Sequence, residues 1–101
     1  MGFYLQIINE KISKISHKFI NDIEKKLTEK NNLEKLTHLW TIKEAAYKYF
    51  TVGQLSLKND IIVKQLGDDS NLQINGLGKH LNLKSKTIIT PNYICSLVYD
   101  E

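Results

Sequence analysis

The chain contains no arginine: all fourteen basic residues are lysine, set against eleven acids for a formal net charge of +3. Without a guanidinium there is no planar fork to grip phosphate in two places. A phosphate site here has to use lysine ammonium groups, backbone N–H groups or hydroxyls. A balance of +3 with acids interspersed is too weak for a nucleic-acid surface, so no nucleic-acid partner is expected. The single cysteine, Cys95, excludes an internal disulfide and a cysteine-rich zinc site. No apolar run approaches the ~18 residues of a membrane-spanning helix, so no membrane partner is expected. The first residues, Met1 to Gln6, lack a basic stretch followed by a long apolar one. No secretory signal is therefore expected, and the cytoplasm is the expected compartment.

What is present is ordinary for a globular protein. The 101 residues are 42% hydrophobic and 25% charged, enough for one domain, 1–101, and too few for two. A core of that size buries about 60–65% of the unfolded surface, which makes for modest stability. Thirteen isoleucines and nine asparagines accompany the lysines, the mark of an AT-rich coding bias.

The pattern divides the chain into a helical first half and a strand-rich second half. Phe3, Leu5 and Ile7 alternate with Tyr4, Gln6 and Ile8, which predicts a strand over Gly2–Ile8. From Glu10 the period becomes helical, with Ile12, Ile15, Phe19 and Ile20 as the apolar positions. Asn21 and Glu24 have the spacing of a capping box opening a short helix that runs to about Glu29. Asn31 and Glu34 repeat the signal before the longest helix, whose apolar face carries Leu33, Leu36, Trp40, Tyr47 and Phe50. Leu39, Ala46 and Tyr49 widen that face, Lys35, Lys43, Glu44 and Lys48 lie elsewhere, and Gly53 marks the helix end. Strand-like runs follow at Leu55–Leu57, Asp60–Leu66, Leu72–Ile74, Lys84–Thr90 and Tyr93–Tyr99. Turn residues separate them at 58–60, 67–69, Asn75-Gly76 and Pro91-Asn92. The expected architecture is α+β: a strand, three helices, then antiparallel strands packed on the long helix.

Chemistry concentrates in His38-Leu39-Trp40-Thr41-Ile42-Lys43-Glu44-Ala45-Ala46-Tyr47-Lys48. Glu44 and Lys48 are an i,i+4 pair on one helix face, and Lys43 adjoins Glu44. A carboxylate between two ammonium groups suits a hard cation carrying a phosphorylated ligand. The same spacing also describes a plain surface ion pair worth a few tenths of a kcal/mol.

Trp40-x-x-Lys43-Glu44-Ala45-x-x-Lys48 resembles the signature of the 4′-phosphopantetheinyl transferase superfamily. Gly53-Gln54-Leu55-Ser56-Leu57 is similar to the turn and Leu-Ser-Leu strand that follow it in the surfactin-type branch. Gly2-Phe3-Tyr4-Leu5-Gln6 stands where that branch has Gly-Ile-Asp-Ile-Glu. His17-Lys18-Phe19-Ile20-Asn21 with Glu24, and Pro91 to Leu97, resemble its intervening segment and closing strand. The resemblance implies transfer of phosphopantetheine from coenzyme A to a serine of an acyl or peptidyl carrier protein. That reaction is magnesium-dependent and of the holo-acyl-carrier-protein synthase type. The serine hydroxyl attacks the β-phosphorus, and positioning and charge neutralisation do most of the work. By motif position Glu44 is a metal ligand and a route to the base. Lys48 binds the pyrophosphate, and Lys43 neutralises phosphate or helps deprotonate the serine. Trp40 is expected to pack.

Two departures qualify what the resemblance implies. The family's metal-binding Asp and Glu are here Tyr4 and Gln6, which strand alternation places on one face. A phenol of pKa ~10 is no magnesium ligand at neutral pH, so Gln6 is left to coordinate through its amide oxygen beside Glu44. The expected result is impaired transfer or, as the alternative, a non-catalytic relative that binds coenzyme A or carrier protein, or serves as a subunit. Surfactin-type members also comprise two similar halves, and this chain resembles the second. It is therefore expected to form a homo-oligomer or to pair with a separate N-terminal half.

The remaining signals read plainly. His17, His38 and His80 share no ligand spacing, and His38 is expected on the helix surface. Cys95 reads as a buried small hydrophobe. Gly76-Leu77-Gly78-Lys79 lacks the full pattern of a phosphate loop and reads as a turn. Lys11, Lys14 and Lys18 form a basic stripe suited to an acidic carrier protein, or to solvent alone.

Overall fold

A computed structural model describes residues 2–28, 32–50, 55–67, 69–74 and 81–100. The elements in chain order are β1 (Gly2–Ile7), α1 (Lys11–Ile15), two 3-10 segments (Ser16–Lys18 and Glu24–Thr28) and α2 (Leu33–Phe50). The strands β2 (Ile61–Val63), β3 (Asp69–Ile74), β4 (Leu81–Ile89) and β5 (Tyr93–Tyr99) follow. The five strands form one antiparallel sheet in the order β1-β5-β4-β3-β2. The α+β architecture with the long helix packed on the sheet is therefore as the sequence pattern predicts.

Alternation along β1 and β5 sorts the two faces of the sheet. Gly2, Tyr4 and Gln6 turn toward α2, as do Ile94, Ser96 and Val98, all three of which are buried. Phe3, Leu5 and Ile7 turn outward and are exposed. The register pairs Phe3 with Leu97, Leu5 with Cys95, and Ile7 with Tyr93. Cys95 thus lies on the outer face, half-buried, rather than in the core. The helix comes very close to the start of β1. A methyl at Gly2 would overlap the carbonyl oxygen of Ala45, so the approach relies on glycine facing the helix backbone at Ala45 and Tyr49.

α2 differs from a one-sided amphipathic helix. Its middle is enclosed by the sheet on one side and by α1 and the second 3-10 segment on the other. Leu36, Leu39, Ile42, Ala45 and Ala46 are fully buried, but so are Thr37, Thr41 and Lys43, and His38 is buried too. The expected surface position of His38 is therefore corrected: two layers cover the helix where one was anticipated. The buried hydroxyls meet across the interface. Thr41 Oγ1 donates to the His38 carbonyl (2.8 Å) and lies 2.7 Å from Ser96 Oγ, which is 2.9 Å from Thr87 Oγ1.

The short elements hold three further differences. The capping box at Asn21 and Glu24 forms reciprocally: Glu24 N–H donates to Asn21 Oδ1 (3.0 Å) and Asn21 N–H to Glu24 Oε1 (3.2 Å). It opens a 3-10 segment rather than an α-helix. The cap of α2 is Asn32, whose Oδ1 accepts from Lys35 N–H (3.1 Å); Asn31 lies outside the described residues. Leu55–Leu57 is not a strand, because Ser56 and Asp60 close a turn on each other. Asp60 N–H donates to the Ser56 carbonyl (2.9 Å), and Ser56 N–H to Asp60 Oδ2 (2.8 Å). Gly53, Asn75-Gly76, the stretch 76–79 and His80 lie outside the described residues. Among the described residues no helix is long and apolar enough to cross a membrane.

Candidate functional site

The site lies where β1 passes the C-terminal half of α2. Two strand residues, Tyr4 and Gln6, face three helix residues, Trp40, Glu44 and Lys48, spaced four apart and therefore stacked along one line of α2. Gln6 is the centre of the polar contacts. Its Oε1 accepts from Tyr4 O–H (3.2 Å) and from Trp40 Nε1–H (3.2 Å), and its Nε2 donates to the Ile7 carbonyl (3.1 Å). Tyr4 meets the Trp40 ring edge-on, at 6.3 Å between centroids and 86° between planes. The Lys48 ammonium sits over the Tyr4 ring, 4.9 Å from its centroid. On the other side of Trp40 the buried Phe19 ring packs at 5.0 Å. Trp40 is thus a packing residue with one polar tie.

Glu44 is half-buried, and Lys48 is exposed. Burial pushes the Glu44 carboxyl above the usual carboxylate range, while the nearby Lys48 charge pulls it back. These two groups, a half-buried carboxyl and an exposed ammonium resting over the Tyr4 ring, are what the site offers a charged ligand.

Lys43 is placed apart from them. Its ammonium is wholly buried and ion-paired with Glu24 Oε1 at 2.5 Å, the Glu24 side chain being equally enclosed. It also donates to the carbonyls of Phe19 (2.5 Å) and Leu57 (2.7 Å), so all three of its N–H donors are engaged. Glu24 completes its own shell with Asn21 N–H on Oε1 and Val63 N–H (2.8 Å) on Oε2. Burial raises the Glu24 carboxyl and lowers the Lys43 ammonium, each opposed by the partner's charge. Sequence spacing put Lys43 beside Glu44. It could not show that successive residues of an enclosed helix point into different layers.

The residues present do not fit a protein-held magnesium ion. Such an ion needs ionised carboxylate oxygens and free oxygen lone pairs arranged in octahedral geometry. Here Glu44 is the single carboxylate, it favours its proton more than usual, and the Lys48 cation stands one turn away. The Gln6 oxygen named as the second ligand already accepts two hydrogen bonds. Among the described residues no three of His, Cys, Asp or Glu converge on a common point.

Away from the site, Lys11, Lys14 and Lys18 are all exposed on and just after α1, and His17 is exposed beside them. Burial raises the Cys95 thiol above its ordinary range, which keeps it a poor nucleophile.

No curated protein matches the chain. Its family is nonetheless shown by a match that runs from the first site residue of β1 to nearly the end of β5: the model of the 4′-phosphopantetheinyl transferase superfamily covers residues 4–98, and the chain belongs to that superfamily.

Proposed function

We propose that the chain acts in the cytoplasm on coenzyme A and an acyl or peptidyl carrier protein, as a transferase of holo-acyl-carrier-protein synthase type that works slowly. One observation carries this reading. Glu44 and Lys48 stand together at an accessible edge of α2, while the β1 positions opposite them are Tyr4 and Gln6, bonded to each other. Lys48 supplies a point charge for the pyrophosphate of coenzyme A, leaving the Tyr4 ring to do so. Glu44, with its raised proton affinity, suits the role of accepting the serine proton as the oxygen attacks the β-phosphorus and the bond to the adenosine bisphosphate half breaks. The lysine stripe at 11, 14 and 18 suits docking of an acidic carrier protein. The apolar outer sheet face suits a second copy of the chain or a separate half-chain.

The test is a transfer assay with labelled coenzyme A, magnesium and an apo carrier protein. Slow incorporation is expected, abolished by Glu44→Ala and raised about tenfold or more by Tyr4→Asp, which restores a carboxylate to β1. Incorporation that survives Glu44→Ala, or that Tyr4→Asp leaves unchanged, sinks the reading. A second reading, a binding unit without catalysis, is favoured by the doubly occupied Gln6 oxygen. Coenzyme A binding with no incorporation would establish it.

A further inference from the structure

We propose that Glu24 and Lys43 are positioning residues: together they hold the Phe19–Trp40–Gln6–Tyr4 chain that sets the ligand face of the site, and Lys43 does not touch phosphate. The inference rests on the function proposed above and gives the motif lysine a different task from its neighbour Lys48.

The geometry is continuous from the ion pair to the site. Lys43 leaves α2 about 100° round the helix from Glu44 and binds three separate segments at once: Glu24 of the second 3-10 segment, the Phe19 carbonyl before it, and the Leu57 carbonyl after the helix. Glu24 adds a fourth tie, to the amide of Val63 on β2. Phe19 is the link toward the site, since its carbonyl is fixed by Lys43 and its ring packs on Trp40. Trp40 Nε1 then holds the Gln6 oxygen, which also accepts from Tyr4, and Tyr4 carries Lys48 over its ring. A fully enclosed ammonium with every donor satisfied has no N–H left to offer a phosphate. Freeing one would leave a buried carboxylate or carbonyl without its partner.

Trp40 is the single tryptophan, so its fluorescence reports on this chain of contacts without any ligand. The experiment compares the full-length native protein with Glu24→Met/Lys43→Met, where two apolar side chains of similar length replace the pair. Circular dichroism shows whether the variant folds. Acrylamide quenching then reads Trp40, and calorimetry reads coenzyme A binding at several salt concentrations. The folded double variant is expected to show Trp40 about twofold more accessible to acrylamide, and coenzyme A bound about tenfold more weakly. Its binding should keep the native salt dependence, because no phosphate-contacting charge has been removed, whereas Lys48→Ala should flatten it.

Native-like Trp40 quenching in the folded double variant would reduce the pair to a simple core contact. A flattened salt dependence in it would make Lys43 a phosphate ligand. Either result overturns the proposal. Should the double variant fail to fold, Glu24→Gln provides the same readouts. It keeps an oxygen for Lys43 but turns an N–H against the Val63 amide, and unchanged quenching there is equally fatal. If the native protein binds no coenzyme A, the functional reading fails, while ligand-free quenching still decides the positioning role.

Discussion

At the scale of single residues, the polar groups enclosed by this small core differ in how well they are met. Ser96 relays between Thr87 and Thr41, and because Thr41 gives its proton to the His38 carbonyl, the chain runs from β4 through β5 into α2. Ser85 is as deeply buried, yet its Oγ finds no hydrogen-bond partner among the described residues. Ser96→Ala should therefore cost about 1–2 kcal/mol, because it removes two buried hydrogen bonds and strands the Thr87 hydroxyl, while Thr41 keeps its bond to the His38 carbonyl. Ser85→Ala should cost nothing or stabilise slightly. Chemical denaturation of the two variants checks the contrast, and equal losses would contradict it. Glu44 gives a pH-dependent counterpart. Its folded-state proton affinity is raised, so its contribution to stability is fully present below the unfolded pKa of ~4.3 and is lost as pH rises through the folded value. Glu44→Gln should melt above the native protein at neutral pH and converge with it in acid. A difference between the two that does not change with pH would show that burial does not govern this carboxyl.

At the scale of elements, the contact of β1 with α2 decides whether there is a site at all. It is made close by Gly2 against Ala45, and Gly2→Ala has to push the strand off the helix backbone. A loss of about 3 kcal/mol is expected, with Trp40 emission shifting as Tyr4 and Gln6 retreat; an unperturbed emission would mean that β1 has room to spare. The alternation of β1 and β5 made this pairing legible in the sequence, since both strands bury one face only. The capping box at Asn21 and Glu24 was equally legible, because it is a local bond between residues three apart. The destination of Lys43 was not. The helical wheel has one buried stripe when one layer covers a helix, and α2 is covered by two, so a lysine outside the apolar stripe is enclosed rather than solvated. Leu55–Leu57 misled for a related reason: its apolar alternation suits a strand, but the Ser56–Asp60 turn and the demand of Lys43 for the Leu57 carbonyl take its backbone groups elsewhere. Tyr4 and Gln6 were placed on the right face from sequence. The second bond on the Gln6 oxygen, which completes its occupation, comes from Trp40, thirty-four residues away.

At the scale of the molecule, the sheet has one face covered by α2 and one face open. The open face is apolar along two adjacent strands and the end of a third: Phe3, Leu5 and Ile7 on β1, Tyr93, Cys95 and Leu97 on β5, and Ile88 on β4, beyond which β4 turns Lys86 and Lys84 to the same side. Leu5, Cys95 and Ile88 lie in one row of the register, and neither β1 nor β5 carries a charged residue. The exposed side chains amount to roughly 500 Å², at the upper end of what a monomer leaves uncovered. A stable interface needs about 800 Å² from each partner, so this patch would form the greater part of one. Two copies each carrying +3 repel at long range, and Lys84 and Lys86 share the outer face on β4, so the β1–β5 part of the face, which carries no charge, is where that repulsion least opposes contact. If the face is covered by a second copy, three observables move together. The mass in solution rises with concentration, the thermal midpoint rises with it by mass action, and alkylation of Cys95 slows. Leu5→Lys combined with Ile88→Lys places two charges on either side of Cys95. It should abolish all three dependences while leaving the α2 side of the sheet, and Trp40, undisturbed. A native protein that stays monomeric across the whole concentration range would show that this face is left for a different chain.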